Sequence, residues 1–125
     1  MSKILLISVN QAQLKMFEGW LIAAGYEVAG YNSAEEIEMK VAYEDPDLVL
    51  MDIKMPDISG YEACRRIRRD EDFKQIPVIL LVEHGDTEGS AAWGIREGAT
   101  ACVLKPEAAA TLLEPINDAL ELVSH

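Results

Sequence analysis

The stretch Leu48-Val49-Leu50-Met51-Asp52-Ile53-Lys54-Met55-Pro56 decides the fold. Its apolar run follows the helix-breaking pair Asp45-Pro46 and reads as a strand over Asp47–Met51 that is covered on both faces. Asp52 then falls at the carboxyl end of that strand, where open α/β sheets place their chemistry. A loop from Asp52 to Ser59 leads into a helix near Gly60–Arg69.

Working outward, the same alternation of short apolar strands and amphipathic helices continues to both ends. Lys3–Ser8 reads as a first strand, and Asn10 as the N-cap of a helix that turns Leu14, Phe17 and Leu21 inward and stops at Gly25. Tyr26–Gly30 is a second strand. Ser33, with Glu36 three residues later, predicts a capping box for a helix reaching about Tyr43. Ile76–Val82 is a fourth strand whose early Pro77 need not donate to a ladder. Asp86 or Thr87 caps a helix ending at Gly98, Thr100–Leu104 is a fifth strand, and Lys105-Pro106 opens a last helix to about Val123. Pro115 within it predicts a kink, and Gly89 and Gly94 predict a pliable fourth helix. Five strands separated by helices, joined by right-handed crossovers, give a doubly wound parallel sheet.

Bulk properties narrow the function. At 125 residues the chain is sized for one domain, residues 1–125, with a single core. Its 22 acids against 11 bases leave a formal charge of -11, which disfavours nucleic acid and anionic membrane as partners. Cys64 and Cys102 lie in apolar patterns and suit a reducing compartment, and Ile4-Leu5-Leu6-Ile7 is too short for a signal or a membrane span. The expected location is the cytoplasm. Arg65, Arg66, Arg68 and Arg69 form either the solvated face of a helix or a basic patch for an acidic partner.

The topology brings Ser8, Val9, Asn10, Asp52, Val82, Glu83 and Lys105 to one edge of the sheet. With Val49-Leu50-Met51-Asp52, Met55-Pro56, Gly60, Ile76-Pro77-Val78-Ile79, Gly98-Ala99 and Lys105-Pro106, the whole chain resembles the receiver domains of bacterial response regulators. The resemblance implies a flavodoxin-like α/β fold with five parallel strands and five helices. It also implies a phosphorelay role in which a histidine kinase transfers a phosphoryl group to Asp52, assisted by Mg2+. In such a site the cation offsets repulsion between two anions and clamps the phosphoryl oxygens.

Family members hold that cation with an acidic pair ending strand one, the strand-three aspartate and a backbone carbonyl two residues on. Asp52 and the Lys54 carbonyl match, but Ser8 and Val9 stand at the acidic pair. With one carboxylate left, Mg2+ binding is expected to be weak or absent. Val82 replaces the hydroxyl that ends strand four, and Cys102 the aromatic of strand five, so the family's relay looks broken at both ends. Lys105 is either a phosphoryl partner or a plain ion-pair partner of Asp52. Lys54 could lend charge near Asp52 or point to water, Asn10 could ligate or cap, and Glu83 could face solvent or supply a second carboxylate. Neither His84 nor His125 has partners at metal-ligand spacing. Trp93 falls on the fourth helix, in the face the family uses for partners, and is either an interface residue or a ring packed across its own helix.

Three functions compete. One is a signalling module working by protein contact, with phosphorylation lost or vestigial, and a histidine kinase or downstream protein as partner. Another is a working phosphoacceptor with an unusual metal site. The third, a nucleotide or flavin binder, is weakened by Ser8-Val9-Asn10-Gln11, which lacks the glycine-rich loop that cradles phosphate. No output domain follows the last helix in this sequence, so the chain either acts alone or is part of a longer protein. A homodimer through the fourth helix, fifth strand and fifth helix would follow from the resemblance, with Pro115 set against that geometry.

Overall fold

Successive residues of a strand point to opposite faces, and here both faces are apolar. In β3 (Leu48–Asp52), Leu48 and Leu50 face one layer and Val49 and Met51 the other, all four fully buried. β1 (Lys3–Ile7) divides Ile4 and Leu6 from Leu5 and Ile7 in the same way, and β4 (Val78–Val82) divides Ile79 and Leu81 from Val78 and Leu80. β2 (Glu27–Tyr31) and β5 (Ala101–Leu104) form the partly exposed edges. The computed structural model describes residues 2–85 and 88–124. Its strands make one all-parallel sheet in the order β2-β1-β3-β4-β5, the flavodoxin-like arrangement, with the order reversing beside β1 and β3.

α1 (Gln11–Ala23) and α5 (Ala109–Ser124) cover one face with Leu14, Phe17, Leu21, Leu112, Ile116 and Ala119. α2 (Ile37–Glu44) and α3 (Gly60–Arg69) cover the other with Ile37, Val41, Ala63, Cys64 and Ile67. α4 (Glu88–Arg96) lies on that second face. A Cβ at Gly94 would stand 2.5 Å from Cys102 Sγ and 3.1 Å from Leu80 Cδ1, so the glycine is a packing requirement as well as a helix weakness. Asn10 caps α1, its side chain accepting from Gln13 N at 3.0 Å.

Several boundaries differ from the sequence reading, each for a local reason. The Ser33–Glu36 capping box does not form: Glu36 is left-handed at φ 54°, and α2 begins only at Ile37. Ser33 Oγ instead accepts from Glu35 N at 3.0 Å and donates to Asp57 at 3.2 Å. Lys105-Pro106 does not open α5, which starts at Ala109. The residue before a proline is driven from helical angles, and both residues are buried at the sheet edge. α4 ends at Arg96 rather than Gly98, and its expected caps, Asp86 and Thr87, lie outside the described residues. α5 runs through Pro115. A short 3-10 turn, Glu71–Phe73, was not anticipated.

The arginine run is largely spent on the chain itself. Arg65 pairs with Glu62 at 2.9 Å and Glu97 at 3.0 Å, and Arg66 with Glu62 at 3.3 Å. Arg68 donates to the carbonyls of Gly98 at 2.8 Å and Ile76 at 2.7 Å, tying α3 to the segments entering β4 and leaving α4. The solvated-face reading is the closer one, with Arg68 a structural exception.

α3 is seated directly on the site strand. Gly60 N donates to Ile53 O at 2.8 Å, and a Cβ at Gly60 would stand 2.5 Å from Asp52 O. Gly60→Ala should therefore lower unfolding free energy by about 1–3 kcal/mol. Gly19→Ala, where a Cβ meets nothing within 4 Å, should raise it by about 0.5–1 kcal/mol. Urea denaturation of both variants checks the pair; equal effects would remove the steric explanation.

Candidate functional site

Ser8 and Asp52 follow Ile7 and Met51, which are register partners, so the two side chains meet at the carboxyl ends of β1 and β3. Both are buried, Asp52 at 1% exposure and Ser8 at 0%. Asp52 Oδ2 accepts from the Ser8 hydroxyl at 3.0 Å and from the Val9 amide at 3.1 Å. Oδ1 accepts no hydrogen bond, but the Lys105 ammonium lies 3.2 Å away as an ion-pair partner.

Lys105 reaches this point because its own amide donates to Val82 O at 2.8 Å, extending β5 along β4. The side chain then turns inward and is 6% exposed. Its ammonium donates to Glu83 Oε1 at 2.7 Å and to Gln13 Oε1 at 2.8 Å. Gln13 was not singled out from the sequence, because a polar residue in the first turns of a helix carries no signal of what it faces. Glu83, half exposed, reaches the site as a second carboxylate rather than turning only to solvent. The Val9 amide was missed for a similar reason: its contribution is backbone, while its half-exposed side chain offers no ligand.

The other expected residues divide. Val82 is buried at the end of β4, with no group that could donate a hydrogen bond from its side chain. Lys54 is exposed on the loop, and the Lys105 ammonium lies beside Asp52. His84 Nε2 lies 2.8 Å from Lys105 O, bracing the loop after β5. The Trp93 ring packs against neighbours, meeting Tyr61 edge-on at 6.4 Å and Arg96 of its own helix at 5.4 Å, and is 46% exposed. A cleft of about 330 Å3 is lined by Gln13, Met16, Glu83, His84, Lys105, Pro106 and Glu107, with Asp52 beneath Lys105 and outside that lining.

The sheet order, the buried strand-end aspartate and its lysine point to one family, and comparison with known proteins decides it. The family model described as "Response regulator receiver domain" matches residues 4–117. This chain belongs to that family. Protein PilH of Pseudomonas aeruginosa is 32% identical over 120 residues, spanning 96% of this receiver domain and 98% of PilH. The polar-differentiation response regulator DivK of Brucella ovis is 31% identical over 121 residues, spanning 94% of each chain. Among solved structures, a response regulator from Chloroflexus aurantiacus superposes with a TM-score of 0.90 at 28% identity, covering 96% of this chain and 98% of that one. Chemotaxis response regulator CheY4 of Vibrio cholerae gives 0.87 at 26% identity, covering 95% and 98%. The receiver domain is thus a two-component signalling module, and no helix among its described residues is long and apolar enough to cross a membrane.

Whether these residues fit the family's Mg2+ can be judged from the donor set. A hard cation needs several oxygens free to face it. Here Oδ2 faces two donors, Oδ1 faces an ammonium, and Val9 supplies an N–H where a carboxylate would be needed. Among the described residues no group of three or more His, Cys, Asp or Glu side chains is placed to hold a metal. The arrangement does not fit Mg2+.

Cys102 lies under Gly94 beside the core that contains Cys64. Burial pushes the Cys64 thiol up from 9.0 to about 11 and raises Cys102 in the same direction. A thiol held protonated in the native state loses its stabilising contribution as pH rises from the unfolded value near 9.0 towards about 11. Stability should accordingly decline over that window, and Cys64→Ala should flatten the decline. Cys64 should also resist a chromogenic disulfide reagent at pH 8 until denaturant is added; rapid native labelling would contradict this.

Proposed function

We propose that this receiver domain signals by protein contact, with phosphoryl transfer to Asp52 absent or weak. The observation that carries the reading is that Asp52 is already engaged by its own chain: the Ser8 hydroxyl and Val9 amide bond one oxygen, and the Lys105 ammonium lies beside the other. An incoming phosphoryl group would have to displace these contacts without a metal clamp to offset the charge. Val82 would give the new group no hydroxyl, and Cys102 has no ring to reorient. The partner is a histidine kinase or a downstream signalling protein in the cytoplasm. Trp93, with the exposed Ile95 and Leu104, supplies an apolar surface for that contact, in a pair of identical domains or with a different protein.

A second reading, a Mg2+-dependent aspartyl phosphoacceptor served by a histidine kinase, is favoured by Asp52 Oδ1, which lacks a hydrogen bond and keeps a lysine beside it. Titration with Mg2+ and then beryllofluoride, following backbone amides and the fluorescence of Trp20 and Trp93, separates the two. The contact reading expects no saturable change around Asp52; a saturable Mg2+-dependent change there would establish the phosphoacceptor. The double substitution Ser8→Asp with Val9→Asp should restore measurable Mg2+ affinity, read by the same amides.

A further inference from the structure

α3 and α5 carry opposite charge and dispose of it differently. The arginines of α3 are matched to Glu62, Glu97 and loop carbonyls. α5 holds Glu114, Asp118 and Glu121 and no basic residue. Leu112, Ile116 and Ala119 turn to the core, so at 3.6 residues per turn the three acids fall on the outward side, one to a turn. All three are exposed, and no ion pair among the described residues includes them. Acids at this spacing repel one another, and Glu121 stands in the last turn, where the helix carbonyls favour a cation.

The acidic column begins beside a cleft. About 400 Å3 in volume, the cleft lies between the loop after β4 and the start of α5, and Leu104, Pro106, Ala108 and Thr111 are among its lining residues. Leu104 is 52% exposed there, and the exposed Glu107 adds a further acid. A second copy of this chain is the wrong complement for such a surface. Pairing α5 with α5 sets acid against acid, and the one base of α4, Arg96, already lies over the Trp93 ring at 5.4 Å. Another copy also brings the same surplus of -11.

We infer that the outward face of α5 and the cleft at its start form a docking site for a basic amphipathic helix of a different protein. The inference rests on the contact reading above and deepens it by naming the partner's chemistry. An apolar side chain of that helix enters the cleft over Leu104. Lysines or arginines at successive turns then meet Glu114, Asp118 and Glu121. Exposed ion pairs contribute little each, so the anchor holds the partner while the column selects its charge and speeds the encounter. From residue 111 to residue 121 the helix runs roughly 15 Å, which sets the length of the matching segment.

The probe is a synthetic amphipathic peptide of about 15 residues, with a leucine near one end and lysines on one face at successive turns, titrated into the whole chain. Amides of Leu104 and of residues 111–121 should shift saturably, and the affinity should fall as salt is raised. Glu114→Gln with Asp118→Asn and Glu121→Gln should weaken binding at least about tenfold, and Leu104→Ser should do the same. These side chains are exposed, so core amides should stay in place in both variants. Glu35→Gln with Glu36→Gln and Glu38→Gln removes as much charge elsewhere and should leave the affinity within about twofold. The chain alone should sediment as a monomer. If the peptide does not bind, shifts other amides, binds equally well when scrambled, or is weakened as much by the control variant, the inference is overturned while the contact reading stands. Self-association that moves the α5 amides overturns it equally. Saturable binding of Mg2+ and beryllofluoride at Asp52 would instead remove the contact reading, and the inference with it.

Discussion

Taking a carboxylate out of water is costly unless donors or an opposite charge replace the lost solvation. Asp52, 1% exposed at the end of a fully buried strand, imposes that requirement on everything around it. Ser8 must be small and hydroxylated to fit against it, Val9 contributes its amide, and Lys105 must turn inward across the sheet edge. The loops after β1 and β5 reach this carboxylate directly, and the loop after β4 reaches it through Lys105. Removing one partner of such a pair leaves an uncompensated charge, at a typical cost of about 3–5 kcal/mol.

The sheet makes this convergence possible because its register is fixed by two apolar faces. A slip of one residue in β3 would exchange Leu48 and Leu50 with Val49 and Met51 and would carry Asp52 to the wrong layer. Gly60 adds a second constraint, since α3 can approach the Asp52 backbone only where no Cβ intervenes. On the same face of the sheet, Gly94 plays the same part over Cys102. The small thiol beneath α4 lets that helix lie close.

Charge elsewhere is mostly internal. The acidic surplus of -11 is a property of the whole surface, whereas the concentrated arginines of α3 are matched to Glu62, Glu97 and loop carbonyls. Exposed pairs of this kind contribute little each. Arg68 differs because its guanidinium joins carbonyls from two separate segments, work that a fork of planar donors can do and a lysine cannot.

The apolar runs of β1, β3 and β4, the Asn10 cap and the position of Asp52 were legible in the sequence, because burial on both faces and a side-chain cap depend on neighbouring residues alone. The substitutions at Ser8, Val9, Val82 and Cys102 were equally plain, as was the family. The start of α2 was not legible: Ser33 had an alternative partner in Asp57, which is distant in the chain. Gln13 and Glu83 were invisible as a pair for the same reason, since they lie on α1 and beyond β4 and meet only through Lys105. By itself the sequence determined the layers, the strand that carries the aspartate and the loss of the usual acidic ligands. Only the tertiary structure decided what surrounds Asp52 instead, because hydrogen bonds and ion pairs between distant segments depend on where the packed sheet places their ends.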